Sequence, residues 1–327
     1  MKLKPWQREF DVALGAVRDA AALAREIRGR SSGQALAKAD RSPVTVADFA
    51  VQALIADRLA HAFPDDALVA EEDASVLRSS AGRPLFESVL DALRRASPLL
   101  SSSEVLDAID RGRGTPGERF WALDPIDGTQ GFIRGDQYVV ALAFIQQGCV
   151  EIGLLGCPQL TDDRQAGVGS IVYAVRNRGA FRASLAGDDF APLCVSSCSE
   201  PSKSRVLRSF EGEHIDLSTF NKIIELLAVK APPTLMDGQA KHAVIAAGQA
   251  ELLIRLPATR KFRDTIWDQA AGSLIVEEAG GRVTDLHGIP LDFAAGRLLA
   301  RNQGVIASNG QIHATVVDAI RQIQTCA

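Results

Sequence analysis

The sequence predicts a mixed α/β protein in which sheets and helices lie in layers. Three observations carry this expectation. Apolar residues recur at helical spacing in several separate segments. Short runs rich in β-branched and aromatic residues, bounded by turn residues, lie between them. Two such runs, Tyr138 to Ile145 and Cys149 to Leu155, are joined across Gln146-Gln147-Gly148 and read as an antiparallel hairpin in the first half of the chain.

In chain order, the stretch from Trp6 to about Arg28 is Ala- and Leu-rich, and Phe10, Ala13, Leu14 and Val17 fall on one helical face. A polar break at Arg30-Ser31-Ser32-Gly33 ends it. Ser42-Pro43-Val44-Thr45-Val46-Ala47-Asp48 opens a second helix whose stripe is Val51, Leu54, Ile55 and Leu59, stopped by Pro64-Asp65-Asp66. Leu68-Val69-Ala70 is a short strand running into Glu71-Glu72-Asp73. The region from Ala74 to Gly117 is mixed, with a helix near Leu85 to Arg95, a serine run, and an Arg/Gly-rich stretch from Arg111 read as exposed loop. Phe120-Trp121-Ala122-Leu123 is a strand. After the hairpin, the polar segment Leu160 to Gly169 is the expected boundary between an N-terminal domain, 1–160, and a C-terminal domain, 161–327. In the second half, Ile171 to Val175, Val206 to Ser209 and Leu252 to Leu256 read as strands. Leu217 to Leu227, Ala240 to Ala247 and Asp268 to Ala279 read as helices, the last stopped by Gly280-Gly281.

Bulk properties exclude several classes. The chain has 327 residues with 46% hydrophobic residues, enough for a full core. A formal net charge of −4 gives no broad reason to bind nucleic acid or an anionic membrane, although a local basic pocket is compatible with it. Five cysteines, an odd number, do not suggest a secreted disulfide framework, and Cys194-x-x-x-Cys198 lacks the second pair a zinc site needs. Reduced thiols and the absence of a signal-like or membrane-spanning run lead to the expectation of a cytoplasmic chain, with an organelle left open.

Chemistry concentrates at Asp124-Pro125-Ile126-Asp127-Gly128-Thr129. Two carboxylates leave a strand together, Pro125 restricts the backbone between them, and Gly128 allows a tight turn. The amides of Gly128, Thr129 and Gln130 can then face an anion. A plain turn is the bland alternative. A calcium loop fails on spacing, because Gly128 at position six puts Leu123 at position one and Arg134 at position twelve. Glu71-Glu72 alone reads as solvated loop; beside Asp124 and Asp127, one of the pair becomes a bridging carboxylate. Thr45-x-x-Asp48 has capping-box spacing, and a capping carboxylate can also point into a cleft. Asp268, alone, reads as an N-cap, and a helix N-terminus favours bound phosphate over a cation.

Taken together these residues resemble the lithium-sensitive, inositol monophosphatase-like superfamily of magnesium-dependent phosphatases. The pattern is Asp48, Glu71-Glu72, Asp124 through Thr129, and Trp267-Asp268 followed at the right interval by Gly280-Gly281. Within it the chain is most similar to the 3'(2'),5'-bisphosphate nucleotidases, on Ser42 through Gln52, Trp121 through Gly135, and Gly153 through Pro158. The resemblance implies a layered α-β-α-β-α sandwich. It assigns metal binding to Glu71, Asp124, the Ile126 carbonyl, Asp127 and Asp268, with two or three Mg2+ per site. Asp48, Glu71 and Thr129 would handle the attacking water, and Gly128 and Thr129 the phosphate. His214, Lys241, Arg255 and Asp268 fall near nucleotide contacts. Gln130, Gln269 and Gly238 depart from the family's usual Lys, His and Ser, which bears on nucleotide preference rather than on the metals.

The implied reaction is removal of the 3'-phosphate from adenosine 3',5'-bisphosphate, giving AMP and phosphate, with 3'-phosphoadenylyl sulfate as a second substrate and with inhibition by lithium or sodium. An inositol phosphate phosphatase is the alternative within the class, and a non-catalytic metal- and nucleotide-binding sensor the alternative outside it. The expected partner is a small phosphorylated nucleotide, with no nucleic acid or membrane, and the chain is expected to act as a monomer.

Overall fold

The computed structural model describes residues 5–30, 35–37, 43–96, 101–161, 169–210, 216–259 and 261–325. In the first part of the chain lie α1 (Gln7–Arg30), β1 (Ala35–Ala37), β2 (Pro43–Thr45), α2 (Val46–Ala62), β3 (Ala67–Ala70), α3 (Ser75–Arg78), α4 (Arg83–Ala96) and α5 (Ser102–Asp110). They are followed by β4 (Arg119–Asp127), α6 (Thr129–Arg134), β5 (Val139–Gln146), β6 (Cys149–Cys157), β7 (Ser170–Val175), β8 (Ala180–Ser184) and β9 (Ala191–Pro192). The remainder comprises β10 (Val206–Arg208), α7 (Leu217–Leu226), β11 (Thr234–Leu235), α8 (Ala240–Ala246), β12 (Leu252–Arg255), α9 (Ala270–Glu278), β13 (Arg282–Thr284), β14 (Val305–Ser308) and α10 (His313–Thr325).

These elements stack in five layers. Strands β3 to β9 form a seven-stranded sheet in sequence order, and a five-stranded sheet has the order β11-β10-β12-β14-β13. Helices α1 and α2 cover one face of the larger sheet. Helices α8 and α9 lie between the two sheets, and α10 packs with α7 on the far side of the smaller one. The layered α-β-α-β-α expectation is met. The division expected at 160–161 falls between β6 and β7, which are antiparallel neighbours in the same sheet.

The central strands are buried on both faces, so they read as unbroken apolar runs rather than as alternation. In β4, Trp121 and Leu123 enter the core under α1 and α2, while Phe120 and Ala122 enter the core under α8 and α9. Strand β6 accepts α9 closely because Gly153 has no side chain; a Cβ there would stand 2.6 Å from the Ala271 carbonyl oxygen. The hairpin β5–β6 turns at Gln147 and Gly148, both at positive φ (51° and 75°), the turn whose twist suits a two-residue loop. Helix α9 ends in a Schellman motif: Gly281 N–H donates to the Val276 carbonyl (2.9 Å) and Gly280 N–H to that of Glu277 (3.0 Å).

Two expectations need correction, and the serine run, which carried none, closes on a helix: Ser101 caps α5, with Glu104 returning the bond to the Ser101 amide at 2.7 Å. The Arg/Gly-rich stretch is not free loop. Its Gly112 carbonyl accepts from Ala70 N–H (2.8 Å) and Gly114 N–H donates to the Leu68 carbonyl (3.0 Å), so it lies along the edge of β3. Helix α9 starts at Ala270, two residues later than expected, with Gln269 at the N-cap position. Among the described residues, Cys149, Cys157, Cys194 and Cys198 are free, and no helix is long and apolar enough to cross a membrane.

Candidate active site

Strands β3 and β4 run parallel in register, Ala70 beside Leu123, so Glu71, the first residue past β3, comes beside Asp124 within β4. Strand β4 does not stop at Leu123 but continues to Asp127, with a register shift against β5 between Asp124 and Asp127. Residues three apart on a regular strand point to opposite faces, and such an irregularity is the device that re-aims one of them. Asp124 is 2% exposed, and its Oδ1 accepts from Ile126 N–H at 3.1 Å. Gly128 then turns the chain at φ 92° into α6. The Thr129 hydroxyl lies 3.1 Å from the Ile126 carbonyl oxygen and 3.3 Å from Asp48 Oδ1, so its one proton serves either acceptor.

Asp48 is fully buried at the start of α2. Its Oδ2 accepts from both Thr45 N–H (2.7 Å) and the Thr45 hydroxyl (2.6 Å), while Thr45 Oγ1 accepts from Ala47 N–H (3.1 Å). The capping role and the position beside Thr129 coexist, one carboxylate oxygen for each.

The opposite wall comes from the segment before α8 and the loop before α9. Gln239 N–H donates to Asp127 Oδ2 at 2.6 Å, and the Gln239 side chain bonds the Trp267 carbonyl (3.0 Å) and Gly272 N–H (2.9 Å). Gln239 therefore ties Asp127 to the segment that carries Asp268. Gly238 has φ 59°, and a Cβ there would stand 2.4 Å from the Asp127 carbonyl oxygen. The close approach of the two segments accounts for glycine at this place in the chain.

Glu71, Asp124, Ile126, Asp127, Gly128, Thr129, Lys241, Arg255 and Asp268 all line one cavity of about 310 Å³, with Asp48 behind Thr129. Of each sequence-predicted site residue except His214, which lies outside the described residues, the structure thus gives a position in or against this cavity. Glu72 does not line it. Its backbone is held by Gln52, which accepts from Glu72 N–H (3.0 Å) and donates to the Glu72 carbonyl (2.7 Å). This separates the Glu71-Glu72 pair into one cavity residue and one buried neighbour.

The electrostatics follow from burial. Asp124 is pushed well above the usual carboxylate range, first by burial and then by the negative charges of Glu71, Asp127, Asp268 and Asp48. Burial raises Asp127 as well, against the pull of Lys241. Asp268 rises to about 7 by burial, even with an Arg255 nitrogen 3.6 Å from its Oδ2. On the cationic side, burial lowers Lys241 to about 8, its Nζ donating to the Met236 carbonyl at 3.1 Å. Arg255 pairs with the buried Asp264.

This donor set fits a hard divalent cation. Carboxylate and carbonyl oxygens gathered in one buried cavity, mutually repelling and only partly balanced by Lys241 and Arg255, are the ligands magnesium takes. Among the described residues no three acidic, His or Cys side chains converge tightly enough to hold an ion unaided. Magnesium takes one or two protein carboxylates per ion and completes its shell with waters and, where present, phosphate oxygens.

Sequence reasoning did not single out Gln239, His242, Phe262 or Arg297. His242 lines the cavity 2% exposed, neither ring nitrogen bonded among the described residues, and burial lowers it to about 3. Phe262 stands 38% exposed in the cavity wall with the Arg255 guanidinium 6.0 Å from its ring centre. No local spacing marks any of these.

A family model described as the inositol monophosphatase family matches residues 6–325. The chain is 39% identical to a 3'(2'),5'-bisphosphate nucleotidase of Schizosaccharomyces pombe, covering 95% of this chain and 94% of that one. It is 37% identical to a 3'(2'),5'-bisphosphate nucleotidase of Emericella nidulans, over 97% and 99%. Among solved structures it resembles an IMPase from Thermotoga maritima, with a TM-score of 0.68 at 24% identity, covering 97% of this chain and 98% of that one. The last likeness speaks to the fold alone.

Proposed function

The chain belongs to the inositol monophosphatase family, and from that premise we propose that it is a magnesium-dependent phosphatase acting on the 3'-phosphate of adenosine 3',5'-bisphosphate, releasing AMP and phosphate. The observation that carries the reading is the single cavity in which Glu71, Asp124, the Ile126 segment, Asp127 and Asp268 meet Lys241 and Arg255. Its relatives over nearly their whole length are named as nucleotidases of this kind.

Glu71, Asp124, the Ile126 carbonyl, Asp127 and Asp268 would hold the magnesium ions, two or three in number, which when bound supply charge neutralisation and a more acidic water. The protein's own part begins with Asp48 and Thr129. The Thr129 hydroxyl, poised between Asp48 Oδ1 and the Ile126 carbonyl, orients the attacking water together with Glu71. Asp48, whose other oxygen is fixed by Thr45, draws the water's proton through Thr129. The new bond joins water oxygen to phosphorus, the bond from phosphorus to the ribose 3'-oxygen breaks, and that oxygen takes up a proton from solvent. Backbone N–H groups of Gly128 and Thr129 hold the phosphoryl oxygens, whose charge grows in the transition state. Lys241 and Arg255 meet the remaining anionic groups of the nucleotide. His214 belongs to the same proposed contact set. The same 3'-phosphate in 3'-phosphoadenylyl sulfate makes that compound a second substrate.

Nucleotide is favoured over inositol phosphate by an apolar part of the cavity lining. Pro257 and the exposed ring of Phe262 form it, an apolar surface that suits a nucleobase and gives nothing to a polyol. The test is phosphate release measured side by side from adenosine 3',5'-bisphosphate and inositol monophosphate with purified protein and MgCl2. Faster turnover of the nucleotide is expected. Asp127→Asn should lower that turnover by roughly 10³-fold while the chain still folds, as read by its circular dichroism spectrum. Faster turnover of the inositol compound would replace this substrate with the other, and saturable binding of both without turnover would make the chain a sensor.

A further inference from the structure

The acids that define the cavity come from segments nearly 200 positions apart, and one arginine outside the cavity grips two of those segments at once. Arg297 lies in the connection between β13 and β14. Its NH2 donates to the Ala70 carbonyl at 2.5 Å, and its NH1 donates to the carbonyls of Gly112 (3.0 Å) and Gly114 (3.1 Å). The guanidinium carbon also sits 4.8 Å from the centre of the Trp267 ring. Ala70 is the residue before Glu71, and Trp267 is the residue before Asp268. The Arg297 backbone carbonyl accepts from Ile266 N–H at 3.1 Å, adding a second tie to the same loop.

We propose that Arg297 is a positioning residue for the metal-binding acids: it locks the end of β3 and the loop before α9 to each other, so that Glu71 and Asp268 face the same cations. This rests on the reading of those two acids as metal ligands. Arg297 does not line the cavity and touches neither carboxylate group in the contacts above; it acts through the backbone of their neighbours. The guanidinium is suited to this by shape. Its planar fork reaches three carbonyl oxygens while its face lies on an indole, whereas a lysine ammonium is a point charge that can reach one or two of them and does not stack. The three carbonyls also belong together. Gly112 and Gly114 are the residues that pair with the β3 edge, so Arg297 clamps the whole strand end rather than a single peptide.

Arrangement of groups around a metal site is worth about 10- to 100-fold in metal affinity when disturbed. The experiment measures Mg2+ binding by titration calorimetry on chelator-treated protein without substrate, together with the Mg2+ concentration giving half-maximal phosphate release. The proteins are wild type, Arg297→Lys, Arg297→Met, and Ser101→Ala, a helix-cap variant remote from the cavity that controls for lost stability. For Arg297→Met the Mg2+ Kd and half-saturating Mg2+ are expected to rise 10- to 100-fold in parallel, with kcat at saturating Mg2+ within a few-fold of wild type. Arg297→Lys should fall between, and Ser101→Ala should match wild type in Mg2+ affinity. A lower Tm for Arg297→Met with unchanged Mg2+ affinity would show a merely structural residue and overturn the proposal. Full recovery by Arg297→Lys would overturn the argument from the guanidinium's shape. Absence of saturable Mg2+ binding in the wild type would instead bring down the metal reading on which the proposal stands.

Discussion

Lys241 shows how one residue can couple the cavity's charge to its activity. Burial holds its ammonium near pKa 8 instead of the ordinary 10.5, so the folded protein keeps this positive charge below pH 8 and loses it above. A nucleotide bisphosphate approaching the cavity meets that charge only in the protonated form. The expected result is a kcat/KM for adenosine 3',5'-bisphosphate that falls as pH rises through 8, because kcat/KM reports groups of the free enzyme. Lys241→Met should lower kcat/KM by about tenfold or more at pH 7 and remove this alkaline limb; a limb that persists unchanged in the variant assigns it to another group. Lys241 was legible in the sequence only through family resemblance, whereas Asp124 through Thr129 announced itself, because its chemistry is packed into six consecutive residues. Gln239 and Arg297 were illegible for the opposite reason. Arg297 bonds backbone carbonyls 183 to 227 positions away, and Gln239 joins a carboxylate 112 positions back to backbone groups 28 and 33 positions on; nothing in a local spacing encodes the groups that another segment will present.

Elements were readable where their signals are local and misread where tertiary partners decide. The capping box at Thr45-x-x-Asp48 and the stop at Gly280-Gly281 predicted α2 and the end of α9. The same capping-box spacing at Ser101-x-x-Glu104 opens α5, but there it is embedded in a serine run that masks the signal. Strand β4 outran its expected end because an Asp-Pro-Ile-Asp segment looks like a turn until β5 pairs with it. At the other end of the molecule, His313 joins α10 to the smaller sheet: one ring nitrogen lies 2.9 Å from Thr284 Oγ1 in β13 and the other 2.8 Å from Ser308 Oγ in β14. Burial, aided by Arg282, lowers this histidine to about 4. The unfolded chain therefore takes a proton near pH 6.5 that the folded one refuses until about 4. This contribution to stability is complete above 6.5 and is lost as the pH falls from 6.5 toward 4. Tm measured in chelator across that window should decline more steeply for wild type than for His313→Leu, even though the variant starts lower at pH 7 for want of two hydrogen bonds. Parallel curves would mean that the ring does not carry the effect.

For the whole molecule, the acid cluster and the buried histidines act in opposite directions, and magnesium separates them. Burial and mutual repulsion raise Asp124, Asp127 and Asp268, the last to about 7. A carboxyl whose folded pKa lies above its unfolded value favours the folded state while protonated; that contribution is lost as pH rises through the folded value. The metal-free protein thus carries around neutral pH and above a strain that spans β3, β4 and the loop before α9, set in the walls of one cavity. Magnesium held as proposed would need these carboxylates unprotonated, so it would relieve the strain where it is greatest and compete with protons where it is least. At a hundred times its Kd an ion adds about 2.7 kcal/mol, or roughly 4 °C for a chain of 327 residues. The gain in Tm on replacing chelator with MgCl2 should therefore be several degrees at pH 8 and shrink toward zero at pH 5. His242 and His313, which hold no place in the proposed metal set, cancel from that difference. In Asp127→Asn the gain should be small at every pH. A gain in wild type that stays constant from pH 5 to 8 would mean that the raised carboxyls are not the groups the ion binds.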